Sequence, residues 1–411
     1  MRIALINQFY PPARAPTGAL LRDLARALAA RGHPVAVLTS AGAYGGTASG
    51  DPGEDDEVEV CRLGAPRAHG TGYAAKALDY VRFHARLACA LRRRQPPPDA
   101  VVCMTTPPFA GVTAARFARR RGARFVLWCM DLYPEALAAN GWPRADGALY
   151  RALARAARYE RERADAVITL GPDMTERVRA TAPAAAIEEI PVWCRWTAAE
   201  SDRAAARALR RARGWGDDET VLLYSGNMGR AHRAAEFAAL ALQCADARPR
   251  IRIVFCGAGP MQAAWHRTWP QAFEWLDPVD ETALLPHLLA ADVHLISQQP
   301  AWVGVVTPSK YQAAVALGKP VIFAGPAEAA IARWIAEGDT GWRLPPDDPD
   351  AVAAVAADLR DAARIARKGA NAGAQAGRCF NRRALLARLI ARIESPAPAP
   401  RPGMVKTSPL W

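Results

Sequence analysis

The sequence predicts an α/β protein made of two doubly wound parallel-sheet domains, and three observations carry that prediction. Short apolar runs such as Arg2-Ile3-Ala4-Leu5-Ile6 and Val35-Ala36-Val37-Leu38-Thr39 alternate with longer stretches of helical period, the pattern of buried parallel strands and their crossover helices. The alternation continues along 411 residues, roughly two to three times the size of one domain. With 51% hydrophobic and 23% charged residues, the chain has enough apolar material to offset the entropy of ordering it.

The elements follow in order. After the first run come Pro11-Pro12 and Gly18, then Leu20, Leu21, Leu24, Ala27 and Leu28 at helical spacing as far as Arg31-Gly32-His33, which ends the helix before the second run. Further strands are expected at 100–104, 125–129 and 166–170, completing a first domain over 1–192. Within it, the acidic run Asp51 to Glu59 reads as a solvated loop. Tyr73 to Arg94 reads as a basic helix whose Tyr73, Tyr80, Phe83 and Leu87 pack on the sheet, with contact to a membrane surface as the other reading. A second domain over 193–375 carries strands at 221–224, 251–255, 293–296 and 320–323. Leu385, Leu386, Leu389 and Ile390 give helical period to 376–394, and the Pro-rich residues 395–411 read as a flexible tail.

Composition removes several function classes. Eight cysteines with no Cys-x-x-Cys pair and no Cys/His cluster argue against a disulfide scaffold or a metal site. No stretch approaches the roughly 18 apolar residues of a spanning helix, and the short apolar start is unlike a signal peptide, so a cytoplasmic protein is expected. The net charge of +13 admits nucleic acid, anionic lipid or acidic substrates. Only five of the 53 basic residues are lysines, and the arginines are scattered among alanines without a nucleic-acid motif, so no nucleic-acid partner is expected.

Ligands of open α/β sheets bind beyond the carboxyl ends of strands. Four segments lie there. In Ser225-Gly226-Asn227-Met228-Gly229-Arg230-Ala231-His232-Arg233, Gly226 and Gly229 let the backbone approach a ligand, a helix start offers free N–H groups, and Arg230 and Arg233 add charge, a set that favours phosphate. An ordinary glycine turn with solvated arginines is the competing reading. In Thr307-Pro308-Ser309-Lys310-Tyr311-Gln312, Thr307 or Ser309 can cap a helix that Pro308 begins, which sets Lys310 beside unsatisfied N–H groups as a second anion seat. The alternative is a capped helix with a surface lysine. Gly257-Ala258-Gly259-Pro260 forms a strand-end turn of little specificity, and in Asp131-Leu132-Tyr133-Pro134-Glu135 two carboxylates suit base work or hydroxyl recognition unless Asp131 only caps the turn.

Taken together these segments resemble the GT-B-fold glycosyltransferases, in particular the retaining family-4 enzymes of bacterial surface-polysaccharide assembly of the colanic-acid or O-antigen type. The likeness runs from Tyr10-Pro11-Pro12 with Gly18, through Thr106-Pro107-Pro108, Asp131 to Glu135 and Tyr224 to Gly229, to Pro308-Ser309-Lys310, Leu317-Gly318-Lys319-Pro320 and Gly341. It implies two Rossmann-like domains facing across a cleft, a nucleotide-sugar donor held by the second domain without metal, a glycan or lipid-linked acceptor held by the first, and a final helix that crosses back. It further implies that Arg230, Arg233 and Lys310 stabilise the departing diphosphate, with amides near Gly18 and Ser309 assisting and Asp131 on the acceptor hydroxyl. Gly226, Asn227, Gly229, Gly257, Gly259, Thr307, Pro308, Ser309 and Gln312 would line the donor site. UDP is the expected nucleotide, and peripheral contact with the inner membrane face suits the charge. Two departures stand out. Many relatives have a pair of glutamates with seven residues between them, where this chain has Gly304 and Gln312, and a histidine where it has Met130. These departures motivate the alternative of a non-catalytic nucleotide-sugar-binding or scaffold protein.

Overall fold

The computed structural model describes residues 1–13, 15–41, 57–64 and 73–395. The first domain is built on a parallel sheet of seven strands: β1 (Ile3–Ile6), β2 (Val35–Thr39), β3 (Val58–Arg62), β4 (Ala100–Met104), β5 (Arg124–Trp128), β6 (Ala166–Thr169) and β7 (Ile187–Glu189), in the order β3-β2-β1-β4-β5-β6-β7. The second sheet has six: β8 (Thr220–Ser225), β9 (Ile251–Cys256), β10 (Glu274–Leu276), β11 (Val293–Ser297), β12 (Val321–Ala324) and β13 (Gly341–Leu344), in the order β10-β9-β8-β11-β12-β13. Strand order reverses between β1 and β4 in one sheet and between β8 and β11 in the other. In open sheets of this kind the carboxyl end of the switch point is where ligands bind, which directs attention to the segments after these strands.

The central strands are the apolar runs of the sequence. Ile3 pairs with both Val35 and Ala100, and β1, β4 and β5 are buried along their whole length. The four strands that the sequence did not announce are β3, β7, β10 and β13, and each is a sheet edge. An edge strand needs less apolar length, so Ile-Glu-Glu and Glu-Trp-Leu suffice for β7 and β10. The acidic stretch expected to be a loop is corrected accordingly: Val58 and Glu59 belong to β3, where Glu59 pairs with Arg94, while 51–56 lie outside the described residues.

The helix Tyr73–Arg93 packs on the helix Ala110–Arg121, burying Phe83, Leu87 and Leu91 and leaving Leu78 and Val81 exposed. No helix among the described residues is long and apolar enough to cross a membrane. The helix expected over 376–394 is two helices. Ala362–Cys379 stays with the second domain against the helix Lys310–Ala316, and Arg382–Glu394 packs on the first domain against the helix Pro16–Ala29 and β5. The break falls at Phe380 and Asn381, whose side chain accepts from the Ala384 amide at 3.1 Å and so starts the new helix. Leu385, Leu389, Ile390 and Ile393 then enter the first domain's core. Of the tail, only Ser395 is among the described residues.

Candidate functional site

Two glycine turns at the ends of β8 and β9 build one wall. The Gly226 amide donates to the Cys256 carbonyl and the Met228 amide to the Ala258 carbonyl, both at 2.9 Å. Gly257 (φ 141°) lies so close to Gly226 that a Cβ would meet its carbonyl, and at Gly259 (φ 153°) a Cβ would come within 2.6 Å of the Met228 oxygen. The second turn therefore supports the first from behind, which accounts for both of its glycines. Tyr224, fully buried, donates its hydroxyl to the Asn227 carbonyl at 2.9 Å.

Beyond Gly229 the charged residues part company. Asn227 and Arg230 are exposed, and Arg230 has no ion-pair partner among the described residues. Arg233, expected as a second phosphate ligand, instead gives its Nε to Glu236 at 2.8 Å within a mostly buried pair, while its amide donates to Ser297 Oγ at 3.1 Å. His232 donates from Nδ1 to the Ser297 carbonyl at 2.7 Å. Burial and the nearby Lys310 charge hold its imidazole down at about 4, so the ring is neutral.

The opposite strand end, after β11, carries an arm over 298–306. Gln298, 1% exposed, donates to the carbonyls of Trp302 and Val306, each at 2.9 Å, closing the arm around a 3-10 turn at Pro300–Trp302. The next six residues hold a group of buried polar atoms with no partner: Thr307 Oγ1, Lys310 Nζ and both Gln312 side-chain atoms. Ser309 occupies the cap position but neither it nor Thr307 bonds a backbone amide there, so the capping expectation is corrected. Lys310 Nζ stands 3.8 Å from the centre of the Tyr224 ring, and burial pushes its ammonium down to about 7.

In the first domain, Asp131 follows β5. Thr105 Oγ1 accepts from the amides of Met130 (2.9 Å) and Asp131 (3.2 Å), which fixes the chain there, and burial pushes the Asp131 carboxyl up to about 6. Glu135, the other acid of that segment, is taken up by Arg161 in a buried pair at 3.1 Å, which leaves Asp131 as the acid of the segment without an ion pair among the described residues. Gly18 lies in the helix Pro16–Ala29, where a Cβ would come within 3.1 Å of the Phe9 carbonyl; the missing side chain lets the helix start close to the turn after β1.

Contacts across the cleft bring these pieces together. Asp131 forms an antiparallel bridge with Val306, and the Leu132 amide donates to the Val305 carbonyl at 2.9 Å. Asp173 accepts from the amides of Gly304 (3.2 Å) and Ala330 (3.0 Å) with one oxygen, and Arg177 donates twice to the Val303 carbonyl. Trp302 and Val305 pack on Ala136. The arm thus rests on the first domain through residues 303–306, with Val306 beside Asp131, and leads directly into Thr307, Pro308, Ser309, Lys310 and Gln312. Asp173, Gln298 and Tyr224 were not singled out from the sequence. The available signal was Asp173 two residues past Gly171, which precedes the helix Pro172–Thr181, and Gln298 as a polar residue in an otherwise buried run. Among the described residues, no group of three or more His, Cys, Asp or Glu is placed to hold a metal ion.

Comparison with known proteins agrees with this geometry. Residues 17–193 match the family described as glycosyl transferase 4-like domain, and residues 219–361 match glycosyl transferases group 1. WbjE of Pseudomonas aeruginosa, a probable glycosyltransferase, is 26% identical over 285 residues, which cover 66% of this chain and 67% of that protein. The sucrose-phosphate synthase of Thermosynechococcus elongatus superposes with a TM-score of 0.71 at 18% identity, covering 95% of this chain and 97% of its own. WaaG, a glycosyltransferase involved in lipopolysaccharide biosynthesis, gives 0.68 at 17% identity over 96% of this chain and 100% of its own. HepE of Anabaena, solved in complex with UDP, gives 0.67 at 15% identity over 95% and 98%. With its two domains matched in order and its fold shared over 95% of its length, the chain belongs to the GT-B-fold glycosyltransferases of family 4.

Proposed function

We propose that this glycosyltransferase moves a sugar from a UDP-sugar to a hydroxyl of a glycan or lipid-linked acceptor, with retention at the anomeric carbon and without a metal ion. The observation that carries the reading is the group of unpartnered buried polar atoms on Thr307, Lys310 and Gln312. Buried polar atoms are nearly always satisfied, so such a group is arranged for a ligand. A buried ammonium with no carboxylate beside it suits a diphosphate. UDP is favoured because HepE was solved with UDP and a trehalose-6-phosphate protein of E. coli with UDP-2-fluoro glucose, both of this fold.

In the reaction the bond from the anomeric carbon to the diphosphate breaks and its electron pair leaves on the phosphate oxygen. Lys310 and Arg230 stabilise that developing charge, the step at which fixed donors lower the barrier most. The acceptor oxygen attacks from the face that the diphosphate vacates, and Asp131 orients the hydroxyl and receives its proton. The positive charge of the chain favours a peripheral encounter with anionic lipid where the acceptor is lipid-linked.

The test is a thermal-shift series with UDP, GDP, ADP and CMP on the parent chain, Lys310→Ala and Arg230→Ala, followed by UDP release from UDP-sugars. Stabilisation by UDP that is lost in both variants is expected, with turnover of at least one UDP-sugar. No stabilisation by any nucleotide overturns the donor-site assignment, and binding without turnover of any UDP-sugar and acceptor tried moves the reading to a scaffold.

A further inference from the structure

We propose that Tyr224 is a positioning residue for the transfer: its ring face holds the Lys310 ammonium in place as an uncompensated charge, while its hydroxyl fixes the Gly226–Gly229 turn beside it. The inference rests on the donor-site reading of Lys310 and goes beyond it by naming what keeps that lysine ready.

The Lys310 ammonium is buried. Its Nζ is closed off from solvent and has no hydrogen-bond partner. Among the described residues no carboxylate offsets its charge; burial alone governs it. What it has is the Tyr224 ring, 3.8 Å away, well inside the range in which a ring's negative face attracts a cation. A carboxylate in that place would also hold the lysine, but would cancel its charge and repel an incoming diphosphate. An aromatic face attracts the ammonium without adding any net charge. It also leaves the donors of Lys310 unengaged.

The ring itself is immobilised. Phe255 stacks on it at 4.9 Å and 6°, Trp265 and His232 meet it edge to face at 6.1 and 6.0 Å, and the hydroxyl is held by the Asn227 carbonyl. His232 is neutral in this arrangement, so it does not compete for the ring as a second cation. Gly226 completes the seat. A Cβ there would come within 3.1 Å of Lys310 Cε, so the glycine leaves room for the lysine to lie down on the ring. One tyrosine thereby ties together the two segments expected to grip the diphosphate.

The test uses the full chain in two measurements. Tyr224→Phe is prepared first, then the same phenylalanine with one, two or three ring hydrogens replaced by fluorine, which drains the ring's negative face with little change of volume. UDP affinity is measured by calorimetry on each, beside Lys310→Ala. The expected result is a dissociation constant that climbs stepwise with each fluorine, by roughly tenfold in all, with the circular dichroism spectrum of the fold unchanged. A flat series while Lys310→Ala still loses UDP overturns the role of Tyr224 alone; an unchanged affinity in Lys310→Ala overturns the donor-site reading beneath it. The second measurement needs no nucleotide. With only five lysines, carbon-13 labelling of lysine Cε gives few resonances, and Lys310, identified by its absence in Lys310→Ala, should be shifted upfield by the ring. That shift should persist in Tyr224→Phe and vanish in Tyr224→Leu; a Lys310 signal with no upfield shift in the parent chain also overturns the proposal.

Discussion

The backbone amide of Leu132 donates to the carbonyl of Val305 at 2.9 Å, and this bond helps to join the segment after β5 to the arm that leads into Lys310. Asp131 lies one residue before the donor, and Thr307 two residues after the acceptor. The two domains therefore meet partly at the backbone, beside the side-chain contacts of Asp173 and Arg177 and the surface ion pair of Arg333 with Glu176. Any motion that opens the cleft must break this bond or carry the arm away from its own domain.

Asp173 and Gly304 are where that contact can be loosened without touching a reacting group. The Asp173 carboxylate lies at the amino end of the second-domain helix Ala330–Gly338 and accepts from Ala330 and Gly304, and burial raises its pKa, outweighing those bonds. Asp173→Ala leaves buried amides unsatisfied at a cost of about 1–3 kcal/mol each. Gly304→Ala acts on the same contact from the other side, since Gly304 has φ 69° and a Cβ there would come within 2.6 Å of the Asp173 carbonyl oxygen. Both variants should enlarge the radius of gyration of the free protein in small-angle scattering and lower kcat/KM, while UDP added in excess restores part of the compact form. A compact, fully active Asp173→Ala protein would show that the domains are held elsewhere.

Lys310 sets stability against function. Its pKa is near 10.5 in an unfolded chain and about 7 in the folded one, so burial opposes the charged form. A group depressed in this way costs the fold nothing above about pH 10.5; the cost grows as pH falls towards 7 and is constant below. Lys310→Met should therefore raise the melting temperature at pH 6–7, gain little near pH 10, and lose the stabilisation that UDP confers at every pH. Melting curves over that range, with and without UDP, read both effects. A variant no more stable than its parent at pH 6 would mean that the ammonium is better solvated than its surroundings indicate.

The carboxyl of Asp131 has the opposite sign. Burial raises its pKa from 3.8 to about 6, so its contribution to stability is full below about pH 4 and is lost as pH rises through 6. With Asp131 as the proposed base, activity needs the ionised form, and kcat/KM should fall tenfold per pH unit below about 6. Asp131→Asn should cost roughly a hundredfold or more in rate, keep UDP binding, melt higher than the parent at pH 7.5, and abolish the acid limb. An acid limb that survives in the variant would assign the titration to another group.

The sequence made the central strands legible because they are buried on both faces, and burial writes itself as unbroken apolar runs such as Val101-Val102-Cys103. The edge strands β3, β7, β10 and β13 are under no such demand and were missed. The segment Thr307 to Gln312 was legible for a different reason, a scarce lysine placed at the start of a helix. What could not be read was partnership. Nothing local tells that Arg233 is taken by Glu236 or Glu135 by Arg161, whereas Asp131 remains available. Those outcomes depend on residues brought close only by the fold, and the same is true of Asp173 and Gly304, 131 positions apart in the chain.

Gln312 tests how the site manages without the glutamate that relatives carry. Both atoms of its amide are buried and unpartnered, and the residue is 1% exposed. An amide offers one donor side and one acceptor side, which matches a ribose hydroxyl pair in which one hydroxyl accepts and the other donates. Gln312→Leu should then weaken UDP about tenfold, the effect of losing a hydrogen-bond pair, and should bind UDP and 2′-deoxy-UDP alike where the parent prefers UDP. Gln312→Glu should tighten UDP, because a carboxylate accepts from both hydroxyls with charge assistance, provided that nothing in the pocket keeps it protonated. Calorimetry with the two nucleotides on the three proteins decides the matter. Equal preference for UDP over its deoxy form in the parent and in Gln312→Leu would remove Gln312 from the ribose and leave its buried amide to another part of the donor.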